Sequence, residues 1–290
     1  MLGGTIVLWA LNLSVTRFIL THGFQPLAYT TVRYGFAAVA FGLITVATER
    51  TLRIARAHLP LVLAAGATLY LNQVGFVYAV KTTSASVVAL ILAAVPIFAA
   101  LIGLALRSEH LTRRFWVGAA ISFAGVGLVV LGTGEEIQHD RAGVLLGVVT
   151  AATWAAYSVV IAPLMRIYSP ARISAVVLPV AWVPIALTGA PQLQSQDWHL
   201  GADVWLLLAF ATLGPLILTN ILWFHSVDRI GPARAALATN LQPFVAALFA
   251  VVLLSETLSP TQVAGGALIA AGILGARRTP DVKPEATGAL

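Results

Sequence analysis

Ten long apolar runs separated by short polar connectors fill almost the whole 290-residue chain. They cover residues 3–22, 28–48, 60–80, 83–106, 115–133, 143–162, 172–189, 204–224, 232–254 and 261–276. Each approaches the roughly 20 apolar residues that a membrane-spanning helix needs, about twice the length of a barrel strand. None alternates apolar and polar positions as a strand does. Only helices and closed barrels satisfy the backbone in hydrocarbon, so the pattern predicts an all-α polytopic membrane protein with ten transmembrane helices. The seventh and tenth runs are short and are expected to tilt little or extend into their flanks. Gly23, Pro26, Pro60, Gly132, Gly134, Pro170, Pro191, Gly231, Pro232 and Pro260 mark connectors. The first run has no basic residues before it and carries Asn12 and Arg17, so it reads as a retained span rather than a cleaved signal peptide. Residues 279–290, with Pro, Ala and charge but no apolar period, read as a disordered cytoplasmic tail.

The pattern also repeats. Displaced by 147 positions, Val80–Gly125 lies on Val227–Gly272 without a gap. Pro96/Pro243, Ser108/Ser255, Glu109/Glu256, Gly118/Gly265 and Gly125/Gly272 are identical pairs. Thr5, Trp9 and Ala10 lie on Thr150, Trp154 and Ala155 at an offset of 145. The expected organisation is a first five-helix repeat over 1–134, a second over 135–278, and the tail. Five is odd, so the second copy enters the membrane upside down. Inverted repeats are a construction of secondary transporters, which exchange two states by exchanging the conformations of their halves.

Composition excludes a soluble fold. Hydrophobic residues make up 59% of the chain and charged residues 10%, against about 25% charged in a soluble domain. Mean hydropathy is +0.91. Cysteine is absent, which removes a disulfide framework and thiolate metal sites.

The net charge of +6 reports orientation rather than nucleic-acid binding. One set of connectors holds Arg50, Arg53, Arg56, Arg107, Arg113, Arg114, Arg166, Arg172, Arg229, Arg234, Arg277, Arg278 and Lys283; the other holds only Lys81 and Arg141. The positive-inside rule therefore places both termini in the cytoplasm of an inner-membrane protein. Glu135, Glu136, Asp140, Asp197 and Asp203 fall on the outer side.

Several stretches carry a resemblance. "TIVLWALNLSVTR" at 5–17 has a Trp, then small and polar residues, then a basic residue. "LAYTTVRYGFAA" at 27–38 has an Arg-aromatic pair, and both halves carry "P-x-x-A-A-L" followed by "S-E-x-L". The chain resembles the drug/metabolite transporter superfamily in its EamA-type ten-helix form over nearly its whole length. Ala10 follows Trp9 where that family often has Gly. The resemblance implies a carrier of amino acids, nucleobases, sugars or drugs, and it alone implies efflux.

Candidate binding residues are polar or aromatic groups within spans: Asn12, Arg33, Tyr70, Gln73, Tyr78, Trp154, Tyr157, Asn220 and Asn240. Singly, each fits an interhelical hydrogen bond; so many together fit a cavity. On the third helix Tyr70, Gln73, Val74, Val77 and Tyr78 are expected to share a face. Arg17 and Arg33 are the basic residues within spans, and each fits either interfacial anchoring or contact with solute or gate. Arg33 is favoured because the resemblance includes its Arg-aromatic pair, and a guanidinium can bind a carboxylate through two bonds. Pro96 and Pro243 are candidate hinges or static kinks. The glycines of several helices read as packing features.

No Asp or Glu lies mid-span, which favours facilitated diffusion, or coupling through Glu109, Glu256, His22 or His225 at helix ends. Neither a protease nor an ATP-driven pump has its motif here. The reading is a secondary transporter, a probable exporter in the resemblance's terms, of small, partly apolar metabolites such as amino acids, working by alternating access. The alternatives are a membrane enzyme acting on lipid-linked substrates, with Asp197, His199 and Asp203 as its best cluster, and a non-transporting membrane sensor. No cofactor or metal is expected. The expected partners are a small-molecule substrate and the lipid bilayer, with a homodimer as a further candidate, and no nucleic acid.

Overall fold

The computed structural model describes residues 1–83, 85–107, 111–132, 141–254 and 259–276. Ser108, Glu109, Glu135, Glu136, Asp140, Ser255, Glu256, Arg277, Arg278, Lys283 and the tail lie outside the described residues. All regular structure among those described is helical.

The helices are α1 (Leu2–Thr21), α2 (Pro26–Glu49), α3 (Leu59–Thr82), α4 (Ala85–Leu92), α5 (Val95–Ala105), α6 (Arg113–Leu131) and α7 (Arg141–Met165). There follow α8 (Pro170–Ser195), α9 (Ala202–Thr212), α10 (Thr219–Ile230), α11 (Pro232–Thr239), α12 (Gln242–Leu254) and α13 (Pro260–Gly275). A π-helical turn, Leu213–Leu218, joins α9 to α10. Among the described residues, eight helical stretches are long and apolar enough to cross a bilayer, and α13 is a shorter apolar helix. The chain is a multi-pass membrane protein.

Local chemistry sets the helix starts. Pro26, Pro170 and Pro260 stand at first helical positions, where a missing N–H costs nothing. Ser169 caps α8 by accepting from the Arg172 backbone N–H at 3.1 Å. Ser259 and Gln262 cap α13 reciprocally. Gly231, at φ 82°, turns the chain between α10 and α11.

The seventh run, 172–189, extends into its flanks, one of the two outcomes expected for it, to give a full helix over Pro170–Ser195. Two expectations need correcting. Pro191 lies inside that helix rather than in a connector. Pro179 and Pro184 are also internal; neighbouring helices let a membrane helix tolerate them. The fourth and ninth runs are each broken, at Ala93–Ala94 and at Asn240–Leu241. These breaks are related by the same offset of 147, three residues before Pro96 and Pro243. Tight turns close them: Ala94 N–H reaches Ile91 O at 3.0 Å and Asn240 N–H reaches Leu237 O at 3.2 Å. A proline supplies no N–H to the carbonyl four residues earlier, so the α-helical ladder stops there.

Helices pack in long pairs: α2 along α8, α3 along α7, and α6 along α13. The α6–α13 seam is reciprocal. A Cβ on Gly118 would lie 2.4 Å from Gly272 O, and one on Gly272 2.5 Å from Gly118 O. A Cβ on Gly125 would lie 2.7 Å from Gly265 O, and one on Gly265 2.6 Å from Gly125 O. Only glycine allows this approach.

The α2–α8 pair is fastened at both ends. At one, Arg172 Nε donates to Glu49 Oε2 at 2.7 Å, a second guanidinium nitrogen pairs with the same oxygen, and Ser169 donates to Oε1. At the other, Leu27 N–H donates to Gln192 Oε1 at 2.7 Å and Gln25 N–H to Gln196 Oε1 at 2.8 Å.

Candidate functional site

A cavity of about 530 Å³ lies within the bundle, walled by parts of most helices. Three indoles meet at it. Trp9 and Trp154 line the cavity, and Trp223, fully buried, backs both, with ring centroids 5.2 Å from Trp9 and 5.8 Å from Trp154. Tyr157 extends the cluster at 5.4 Å from Trp154. Trp9 Nε1 donates to Thr219 Oγ1 at 2.9 Å and also reaches Pro215 O at 3.1 Å. Pro215 lies in the π-helical turn, a feature that recurs at functional sites.

Polar groups face the indoles. Asn72 Nδ2 donates to Thr150 O at 2.9 Å, and Gln73 Nε2 donates to Asn72 Oδ1 at 2.7 Å. Asn220 lines the cavity with no side-chain hydrogen bond among the described residues. Arg33 is 4% exposed. Its Nε donates to Ala211 O at 3.0 Å, Nη2 reaches Asn12 Oδ1 at 3.4 Å, and its guanidinium carbon stands 5.7 Å from the Tyr29 ring centroid. No carboxylate pairs with it among the described residues. A buried cation with spare N–H groups at a cavity wall is suited to an anionic group of a bound molecule.

The cavity brings together Asn12, Arg33, Gln73, Trp154, Tyr157, Asn220, Asn240 and Pro243. Tyr70 and Tyr78 are not part of its lining. Tyr70 packs on the main hydrophobic core, and Tyr78 accepts from Gln192 Nε2 at 2.8 Å. On α3 the lining residues are Leu69, Asn72, Gln73 and Phe76. That face is rotated by about 100°, one residue's turn, from the stripe expected around Tyr70 and Tyr78. Pro96 is buried beside the cavity at the start of α5, outside its lining. Arg17 is held elsewhere, its Nη1 donating to Thr83 O at 2.6 Å.

Trp9, Phe76, Thr150, Pro215 and Gln262 are lining residues that the sequence reading passed over as site members. Trp9 had a signal, its repeat mate Trp154; Pro215 had another, a Gly-Pro pair inside an apolar run.

The rival cluster does not assemble. Asp197 accepts from the His199 backbone N–H at 2.9 Å, with His199 Nδ1 at 3.0 Å, and these contacts hold its carboxyl below the usual range. Both side chains are largely exposed. Asp203 instead sits in the first turn of α9, and no group of three potential metal ligands occurs among the described residues.

Known proteins are similar to this chain in sequence and in fold. The model of the EamA-like transporter family matches residues 1–131 and again 141–278. A "Probable amino-acid metabolite efflux pump" of Salmonella typhimurium is 29% identical, the match covering 92% of this chain and 90% of that protein. A "Probable terminal-alkyne amino-acid exporter" of Streptantibioticus cattleyicolor is 24% identical over 92% of this chain and 91% of that one. A solved crystal structure, 20% identical, superposes with a TM-score of 0.78 over 95% of this chain and 94% of its own, which shows a shared fold. The chain belongs to the EamA-like transporter family, and it is a membrane transporter rather than an enzyme.

Proposed function

We propose that this protein is a secondary transporter that exports small, partly apolar metabolites such as amino acids, by alternating access between two inverted five-helix repeats. The halves are residues 1–134 and 135–278. Ten spans arise when α4 and α5 are counted as the fourth, α9 and α10 as the eighth, and α11 and α12 as the ninth. Both termini lie on the cytoplasmic side of the inner membrane.

The observation that carries this reading is that repeat-related positions wall one cavity. Leu69 and Leu216, Asn72 and Thr219, Gln73 and Asn220, Ala93 and Asn240, and Trp9 and Trp154 are mates, and all ten line it. A site on the relation between two halves is reached from either side as the halves exchange conformations. In the proposed orientation α5 packs on α11 at the cytoplasmic side of the cavity. The cavity extends the other way, to Gly132 and Gln262. This is an outward-facing arrangement.

Arg33 takes the solute's carboxylate and the indoles take its apolar body. Pro96 and Pro243 act as hinges beside the two helix breaks. The names of the Salmonella and Streptantibioticus relatives support amino acids and export. No described carboxylate lines the cavity, which supports facilitated diffusion over a carboxylate-borne proton cycle.

The test is solute flux in proteoliposomes over a panel of amino acids, nucleobases and sugars, with and without a pH gradient. Amino-acid flux through the purified protein is expected. Flux of none of the panel would refute the reading.

A further inference from the structure

Five buried side-chain atoms lack a hydrogen-bond partner among the described residues: Thr5 Oγ1, Thr45 Oγ1, Trp223 Nε1, Arg234 Nε and Asn240 Oδ1. Of these residues, only Asn240 lines the cavity. It is 2% exposed, and its Nδ2 donates to Ser122 Oγ at 3.2 Å. Ser122 is itself fully buried on α6. The amide is thus held by its nitrogen while its oxygen, a strong acceptor, is left without a donor. Such a group is costly to bury unless something supplies one.

The surroundings favour a cationic donor. Asn240 closes the carboxyl end of α11, where the helix dipole is negative. Pro243 offers no N–H to Thr239 O, and Thr239 also lines the cavity. Acceptors therefore gather at this break, with no acidic side chain among the described residues of the cavity wall. The repeat mate of Asn240 is Ala93, so the feature belongs to one half only.

We propose that Asn240 Oδ1, with the carbonyl end of α11, is the subsite for a solute's ammonium group. The cavity then selects amino acids over carboxylates that lack the amine. This deepens, and rests on, the carrier reading above.

Phenylalanine and 3-phenylpropanoate differ by that amine and serve as probes. Uptake of each into proteoliposomes is compared for wild type, Asn240→Leu, Asn240→Asp and Ser122→Ala. Wild type should prefer phenylalanine. Asn240→Leu should lower that preference by roughly tenfold or more, and thermal unfolding in detergent reports whether the variant is folded. Ser122→Ala should lower the preference less. Asn240→Asp should retain it, and supplies the test by itself if the Leu variant does not fold. Unchanged selectivity in Asn240→Leu, or loss of selectivity in Asn240→Asp, overturns the inference. So does a Na⁺ dependence of flux that Asn240→Leu removes without altering amine preference, which would assign the oxygen to a metal cation. Wild type that moves both probes equally sinks the subsite alone. Wild type that moves neither amino acids nor the deaminated acid sinks the carrier reading with it.

Discussion

The indole of Trp9 meets that of Trp154 edge to face, with ring centroids 5.3 Å apart and planes at 80°. In the proposed inverted repeat the two residues are copies of one position, 145 residues apart. The proposed two-fold relation then passes between them and through the cavity that both line.

Trp9→Ala and Trp154→Ala are expected to weaken solute binding about 2- to 10-fold, from the roughly 0.5–1.5 kcal/mol that aromatic pairs contribute beyond burial. Tyr70→Leu should bind and transport nearly as wild type, because Tyr70 faces the core and not the cavity. Binding and flux in proteoliposomes measure all three. A Tyr70 variant that fails while both Trp variants work would refute the placement of the cavity on α3.

Pro96→Ala and Pro243→Ala restore an N–H at each helix break and should stiffen it. Turnover should slow much more than binding weakens. The two variants should also shift the carrier in opposite senses, because inversion puts the loosened half-helix on opposite sides of the membrane. Accessibility of single cysteines on the two faces reports that shift. A common shift, or none, leaves static kinks as the role of both prolines.

Single cysteines at Leu52, Gln138 and Ser195 test the orientation. On intact cells an impermeant thiol reagent should label Gln138→Cys and Ser195→Cys but not Leu52→Cys, as the charge asymmetry requires. The reverse pattern overturns the topology.

Gly125→Ala should destabilise the α6–α13 seam by about 1–3 kcal/mol, the usual cost of overpacking, because its new Cβ would meet Gly265 O at 2.7 Å. Gly127→Ala, two residues on, meets nothing within 4 Å and should be neutral. Thermal unfolding in detergent compares them. Equal melting temperatures would show that the seam yields.

Much of this fold is legible in the chain because each span must be apolar along its length, whatever it packs against. The repeat is legible because Pro96/Pro243 and Gly118/Gly265 are chemically demanding residues at one spacing. The breaks are less so: Ala93 and Asn240 do not announce them, and the prolines that cause them stand three residues later. The rotation of α3 is not legible in the sequence. Tyr70 and Tyr78 are amphipathic and fit a cavity wall or a helix interface equally well, and only the packing of α3 on α7 turns Asn72 and Gln73 inward. Trp9 is hard to rank for the opposite reason, since a residue matched at the same position in both halves can serve packing alone.

The glycine seam and the helix breaks place opposite demands on heredity. Gly118 is kept small by Gly272, and Gly125 by Gly265, so a change in either half is felt at once in the other. Along α6 and α13 the two copies can change only together. At the breaks no such tie holds, and one copy has Ala93 where the other has Asn240. In the proposed repeat the seam thus holds the two halves alike, while the cavity wall is where they are free to differ.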